Sequence, residues 1–465
     1  MNFREEKDSM GTFQVPSEAL YGAQTARAVA NFPISGRGVG REMIRALGLV
    51  KFAAASVNKE LGNLPAELAD PIMQAAQEVI DGRHDVHFPV DIFQTGSGTS
   101  SNMNVNEVIA NRAIQLLGGV VGTKRPVHPN DHVNFGQSSN DVFPTAIHVA
   151  ASCLIAEKLL PALETLRAGF QEKAEAFDHI VKIGRTHLQD ATPIRLGQTF
   201  SGYVTQVVNG RQHLMNTLPH LKELAQGGTA VGTGINTHPE FGKRVAETLF
   251  SLTGIAFTEA PNHFEAQSAQ DAPVAVSGAL KTIAGSLMKI ANDIRFLGSG
   301  PRLGLGELEI PPVQPGSSIM PGKVNPVIAE SMIMACAQVI GNDATITLGG
   351  LYGNFELNVM LPVIAHNLLE QINLLTNACL MFEEKLLRDL KANTERIASM
   401  NEHSLSLATS LAPLIGYDAA AQIAKESYQT GKTVREIAFA KNILPKEQLE
   451  EALDLRRQTE PGIPK

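Results

Sequence analysis

Tryptophan is absent from the 465 residues, and only 5 Tyr and 19 Phe stand in for it. With aromatics at 5% and apolar residues at 43%, a core has to be filled by Leu, Ile, Val, Ala and Met. That mixture suits packed helices better than a β-sandwich. Cysteine is equally scarce. Cys153, Cys336 and Cys379 stand far apart with no C-x-x-C or iron–sulfur spacing, so neither a disulfide framework nor a cluster is indicated, and a reducing compartment is expected. Positive charge is also in deficit, with 39 Lys and Arg against 47 Asp and Glu and a net charge of −8. No basic run is dense enough to follow a phosphate backbone, so nucleic acid is not an expected partner. Met1 leads into Arg4, Glu5, Glu6, Lys7 and Asp8 rather than an apolar leader. No segment approaches about 18 uninterrupted apolar residues, and the expectation is a cytoplasmic protein without a membrane partner.

Several catalytic signatures are missing too. No Ser lies in G-x-S-x-G and no G-x-G-x-x-G follows a strand, which lowers the prior for a serine hydrolase or a dinucleotide enzyme. The stretch Gly316 to Lys323 resembles a phosphate-binding loop, but its Gly-Lys comes one residue late and Val324 occupies the Ser/Thr position. His84 with His87, and His128 with Asp131 and His132, could be proposed as metal ligands. Pro129 makes a regular helical presentation of the second set unfavourable, and hydrogen-bonded or surface histidines are the better reading. Neither metal nor cofactor is expected.

What is present is length and helical periodicity. At roughly 150 residues per domain the chain is long enough for about three. Residues 1–138 are punctuated by Gly, Pro and Asn, with short helical pieces such as Met43 to Leu61 and Pro71 to Ile80. From Asp141 the character changes: Ile147, Leu154, Ile155, Leu159, Leu163, Leu166 and Phe170 recur at helical spacing, interrupted only by Pro161. Comparable stretches run from about Leu196 to Leu224, Ala272 to Leu297, Pro326 to Ile340 and Leu361 to Leu390. Residues 139–393 therefore read as a central bundle of long helices and 394–465 as a small C-terminal helical domain. The apolar faces are wider than one bundle needs, which points to homo-oligomerisation.

Four segments have a composition that a core does not explain: Gly96 to Asn102, Ser138-Ser139-Asn140-Asp141, Gly184-Arg185-Thr186-His187, and Gly316-Ser317-Ser318-Ile319-Met320-Pro321-Gly322-Lys323-Val324-Asn325-Pro326. The first, second and fourth precede expected helices. Their hydroxyls, amides and free N–H groups would cluster at positive helix ends, an environment suited to small carboxylates. Taken singly, each is an ordinary N-cap loop; three together, with a Lys and a His, shift the balance. Asn325 reads as an N-cap and Pro326 as the first helical residue, placing Glu330 about one turn inside and Lys323 ahead of the helix mouth. A cation there can hold a carboxylate and the extra charge that develops when a proton leaves the adjacent carbon. Gly316 and Gly322 fit equally a closing loop or a simple turn.

The pattern Gly316-Ser317-x-x-Met320-x-x-Lys323-x-Asn325 resembles the signature of the fumarase/aspartase superfamily, whose members eliminate or add a group next to a carboxylate. Glu6 to Gly11, Gly22 to Thr25, Gln137 to Asp141, Gly227 to Gly234, Gly353 to Asn358 and Leu414 to Asp418 are similar to class II fumarases, so the resemblance covers nearly the whole chain. One departure is Val327-Ile328-Ala329-Glu330, whose apolar residues are closer to aspartases and keep aspartate ammonia-lyase as the alternative.

The resemblance implies a mainly α, fumarase/aspartase-like fold whose central bundle forms a multi-subunit helical core. It implies a homotetramer with each active site shared between three subunits, and reversible anti addition of water to fumarate, giving (S)-malate in the tricarboxylic acid cycle through an aci-carboxylate intermediate. Ser317 would take the C3 proton of malate, Lys323 and Asn325 would hold the carboxylate, and His187 would act on water with Glu330 bonded to its ring. Ser97, Gly98, Thr99, Ser138, Ser139, Asn140, Thr186, Ser318 and Val324 would complete the site for a small dicarboxylate. A second anion site would comprise Arg125, His128, Pro129, Asn130 and Asp131.

Overall fold

The computed structural model describes residues 2–463; Met1, Pro464 and Lys465, at the outer ends of the expected terminal domains, lie outside the described residues. The chain opens with a hairpin of β1 (Phe3–Asp8) and β2 (Gly11–Pro16). Five helices follow: α1 (Ala23–Asn31), α2 (Arg41–Glu60), α3 (Ala66–Ile80), α4 (Thr99–Leu116) and α5 (Ser139–Leu154). In α2, Met43, Ile44, Leu47, Val50, Ala54 and Val57 recur three or four apart and are all buried, forming the stripe that docks a helix. Accordingly α2 packs on α3, α4 and α5.

Helix α4 is the helix expected after Gly96 to Asn102; it begins inside that segment, at Thr99, and its 18 residues are rich in Asn and Ser. Such side chains compete for backbone hydrogen bonds in a free helix. Here tertiary partners occupy them. Asn104 and Asn111 donate to the carbonyls of His87 and Leu20, each at 2.8 Å. Glu107 accepts from the N–H groups of Gly22, Gln24 and Thr25 and from the Thr25 hydroxyl.

The long central stretch is continuous, with α5 passing through a π-turn (Ile155–Leu159) into α6 (Leu160–Ala176). The π-turn precedes Pro161, whose missing N–H and crowding ring prevent regular α pairing one turn back. Next come a second antiparallel hairpin, β3 (Val181–Thr186) with β4 (Gln189–Arg195), and then α7 (Leu196–Leu221), α8 (Phe241–Thr253), α9 (His263–Ser268), α10 (Asp271–Leu297), α11 (Val327–Gly350) and α12 (Leu361–Phe382). The C-terminal part holds α13 (Thr394–Asn401), a 3₁₀ turn (Leu405–Leu411), α14 (Ala412–Ile415), α15 (Tyr417–Thr430), α16 (Val434–Ala440) and α17 (Lys446–Ala452).

By contact the chain divides into two units. The first comprises Met1–Pro161, Gly210–Ala284 and Cys336–Thr376, and the second Ala162–Asn209, Gly285–Ala335 and Asn377–Lys465. In the first, α8 adds to the layer on α2. In the second, Phe170, Phe177, Phe200, Tyr203 and Phe382 pack ring on ring, and the Tyr203 hydroxyl donates to Asp293 at 2.9 Å. A separate apolar cluster of Leu407, Leu411, Ile423, Val434, Ile437, Leu449 and Leu453 holds the C-terminal helices together. The run Ser139–Ala176 and the helix Asp271–Leu297 are long and apolar enough to span a membrane. Their most apolar windows are 72% and 50% buried inside the protein, as core helices are.

Candidate active site

In the first unit, two segments read from the sequence come together. Ser97 Oγ lies 2.7 Å from Thr99 Oγ1, which in turn lies 2.7 Å from Ser139 Oγ. The three hydroxyls form a chain across the starts of α4 and α5, where unpaired N–H groups and the helix dipoles favour an anion. Two glycines make the approach possible. A Cβ on Gly96 would meet the Val359 carbonyl at 1.9 Å, and one on Gly98, at φ +73°, would sit 2.2 Å from the Phe143 ring. Ser138 caps α5, its Oγ accepting from Asn140 N, while Asp141 reciprocates on Ser138 N at 2.9 Å. The Asn140 amide donates to Ala230 O at 2.8 Å.

In the second unit, Thr186 ends β3 and His187 occupies the tip of the β3–β4 hairpin, exposed. His187 and Leu188 form a two-residue loop with φ of 55° and 61°, the left-handed geometry that such hairpins need and that Asn-Gly normally supplies. Backbone held in this region by non-glycine residues is the kind of strain that gathers at functional sites. Behind the tip, the buried Glu307 carboxylate takes Arg185 at 2.6 Å and Lys182 at 3.1 Å. Burial pushes the Lys182 ammonium down, and Glu307 opposes that shift.

The loop from Gly316 to Pro326 also lies in the second unit. Gly316 N donates to Lys323 O at 2.7 Å and the Asn325 amide to Gly316 O at 2.6 Å, closing the loop on itself. Ser317 Oγ accepts from the N–H groups of Ile319 and Met320 at 3.1 and 2.9 Å. Ser318, Lys323 and Val324 are exposed beside it. An open depression of about 440 Å³ is lined by Gly316, Ser317, Met320, Lys323 and Val324 among others. Helix α11 starts at Val327, with Glu330 N bonded to Pro326 O. Pro326 therefore stands at the cap and Asn325 just outside, one residue from the expectation, because the Asn325 side chain is committed to Gly316. Glu330 does fall in the first turn. Among the described residues no hydrogen bond joins it to His187.

Arg125, His128, Pro129, Asn130 and Asp131 lie in the first unit, around a π-turn at Pro129–Val133. His128 Nδ1 accepts from Asn130 N and Asp131 N, each at 3.2 Å. That leaves the ring proton on Nε2, so the 3.3 Å approach of Asp131 to Nδ1 is not an ion pair in this tautomer. Arg125 is exposed and, among the described residues, carries no ion pair. His84, once a possible metal ligand, bonds Glu78 at 2.6 Å instead. The supports of the site, Glu307 above all, belong to no motif. Asp141 carried a readable signal in the capping box Ser138-x-x-Asp141.

Residues 11–341 match the family described as Lyase, and residues 407–460 match Fumarase C C-terminus. The class is thus a lyase of the fumarase/aspartase fold. A class II fumarate hydratase of Nitrosomonas europaea is 55% identical over 458 residues, covering 98% of this chain and 99% of its own. One from Halobacterium salinarum is 56% identical over 462 residues, covering 99% and 98%. The crystal structure of a class II fumarase from Schistosoma mansoni superposes with a TM-score of 0.96 at 41% identity, covering 98% of this chain and 99% of that one. The chain belongs to the class II fumarate hydratase family.

Proposed function

We propose that this enzyme is a hydro-lyase that hydrates fumarate to (S)-malate, and dehydrates malate, in the tricarboxylic acid cycle of the cytoplasm. The observation that carries the reading is 55% identity maintained over 98% of the chain and 99% of a class II fumarate hydratase. Ser317 is the base for the malate C3 proton. An alkoxide at its Oγ is stabilised by the N–H groups of Ile319 and Met320 already directed at it. Lys323 and Asn325, with Ser318 and Val324, hold the carboxylate that becomes the aci-carboxylate. Ser97, Gly98, Thr99, Ser138, Ser139, Asn140 and Thr186 bind the rest of the dianion through uncharged donors, so that its charge is shared without being neutralised. His187 acts on water from the other side, oriented by Glu330. The reaction as drawn uses no cofactor.

The enzyme works as a homotetramer in which each active site draws on three subunits, so that His187 meets Glu330 between chains. The solvent-facing strip of α11 supports this: Met334, Ala337, Gly341, Ala344 and Leu348 are exposed, Met334 to 66% and Leu348 to 56%. Such a face belongs against another subunit. Arg125, His128 and Asn130 with Pro129 and Asp131 form a second site for a carboxylate, supported by the exposed Arg125 guanidinium, which has no ion pair among the described residues.

The test follows fumarate absorbance while chelator-treated protein is offered L-malate and then L-aspartate, with Ser317→Ala as control. A rise with malate alone, lost in the variant, is expected. A rise with aspartate would move the assignment to aspartate ammonia-lyase, the activity that Val327-Ile328-Ala329 resembles.

A further inference from the structure

Lys51, near the middle of α2, has no exposed surface at all, yet among the described residues no carboxylate pairs with it. Its Nζ donates to two neutral amide oxygens, Asn134 Oδ1 at 2.9 Å and Gln137 Oε1 at 3.0 Å. Taking an ammonium out of water without a contacting counter-charge opposes folding, and an apolar side chain of similar volume would pack there more favourably. The physical trace of that strain is a pKa pushed by burial down to about 7, with the charge of Asp141 acting the other way. A residue this unfavourable to bury calls for an explanation beyond packing.

The amides supply one. Asn134 Oδ1 also accepts from Asn102 and Asn106 of α4, at 3.2 and 3.1 Å, and its Nδ2 donates to Gln137 O at 3.0 Å. Gln137 Nε2 donates to the carbonyls of Val133 and Phe135. Lys51 thus ties together both side chains that close the turn from 134 to 137. The next three residues are Ser138, Ser139 and Asn140. On the far side of that segment, the fully buried Asp141 carboxylate accepts from the N–H groups of Ser138, Gly227 and Thr229 at 2.9, 3.2 and 3.0 Å. The three polar residues are therefore held between two buried charged groups, neither of which is exposed to a ligand.

We propose that Lys51 is a positioning residue for substrate binding, fixing through Asn134 and Gln137 where Ser138, Ser139 and Asn140 stand. The inference rests on the reading of Ser138 to Asn140 as substrate-binding, and adds the group that sets their geometry. Misplacement by about 1 Å can weaken a site by up to roughly 100-fold, and a loss of ground-state and transition-state binding alike appears in KM rather than kcat.

The experiment compares kcat and KM for L-malate, together with thermal unfolding, in the full-length enzyme and in Lys51→Met, Gln137→Met, Gln137→Glu and Ser139→Ala. Lys51→Met and Gln137→Met are expected to raise KM by about tenfold or more with kcat within about threefold. Gln137→Glu loses the same amide donors to Val133 and Phe135 as Gln137→Met but keeps an oxygen for Nζ, so its KM is expected to stay below that of Gln137→Met. If Lys51→Met fails to fold, the two Gln137 variants carry the comparison. Lower thermal stability with KM unchanged in both Met variants would reduce Lys51 to a packing role and overturn the proposal. Ser139→Ala separates the two layers: a raised KM there with none in the Met variants sinks the Lys51 proposal alone, whereas no effect of Ser139→Ala sinks the reading of the segment and the proposal with it.

Discussion

The hydroxyl oxygens of Thr99 and Ser139 lie 2.7 Å apart although forty positions separate them in the chain. Each stands at the first residue of its helix, so one hydrogen bond joins two helix N-termini. Thr99→Val removes the hydroxyl and keeps the shape. A hydrogen bond to a charged group contributes roughly 1.5–3 kcal/mol, so KM for malate should rise by about 10- to 100-fold with little change in kcat. Steady-state kinetics at fixed pH checks this, and an unchanged KM would remove Thr99 from the site.

Much of this was legible beforehand, and the exceptions have physical causes. The starts of α5, α7, α10 and α12 follow the recurrence of apolar residues, because those helices are docked by their stripes. Helix α11 runs on to Gly350 rather than ending near Ile340. Its later polar residues are held by other elements, Asn342 by Glu370 and Asp343 by Ser277 and Lys281, and a single sequence does not reveal such partners. The same holds for the buried asparagines of α4. The β3–β4 hairpin was missed because His187-Leu188 is an unfavourable pair for its turn. The local signal for a turn is absent at the residue assigned to the chemistry, where function commonly overrides propensity.

The Thr186-His187 tip is backed by a buried charge cluster whose carboxylate, Glu307, lies well outside any motif. Glu307, 1% exposed, is shared by Lys182 and Arg185. Glu307→Gln keeps the volume but leaves the buried Lys182 without its ion-pair partner and Arg185 with only the longer contact to Asp190, at 3.8 Å. Removing one partner of a buried pair typically costs about 3–5 kcal/mol. Chemical denaturation should register a loss of that size, and kcat should fall because the hairpin no longer fixes His187. Full stability in the variant would show that the cluster does not hold the hairpin.

His148 gives the fold a definite response to acid. It is buried on α5, its Nδ1 donating to Glu223 O at 2.8 Å, and burial lowers its pKa to about 4. An unfolded chain protonates the same ring near 6.5. Between those values the unfolded state holds the extra proton, so this stabilisation is complete above pH 6.5 and is lost as the pH falls towards 4. The window is worth on the order of 3 kcal/mol. Denaturation midpoints across pH 4 to 7 should therefore slope less steeply in His148→Gln than in the unmodified enzyme. Parallel slopes would mean that the ring is not held neutral in the folded state.

The proposed sharing of sites between subunits can be tested without another structure. His187→Asn and Ser317→Ala should each inactivate a homotetramer. If both residues of one site came from one chain, no mixture of the two variants could contain an intact site. If they come from different chains, random tetramers assembled from equal amounts draw an intact His187 half the time and an intact Ser317 half the time. About a quarter of the sites are then complete. Mixing the two inactive proteins under dissociating conditions and reassembling them should recover roughly that share of malate dehydration. The same treatment of either variant alone should recover none. Failure of the mixture, with tetramers confirmed by sedimentation, would place His187 and Ser317 of each site on a single chain.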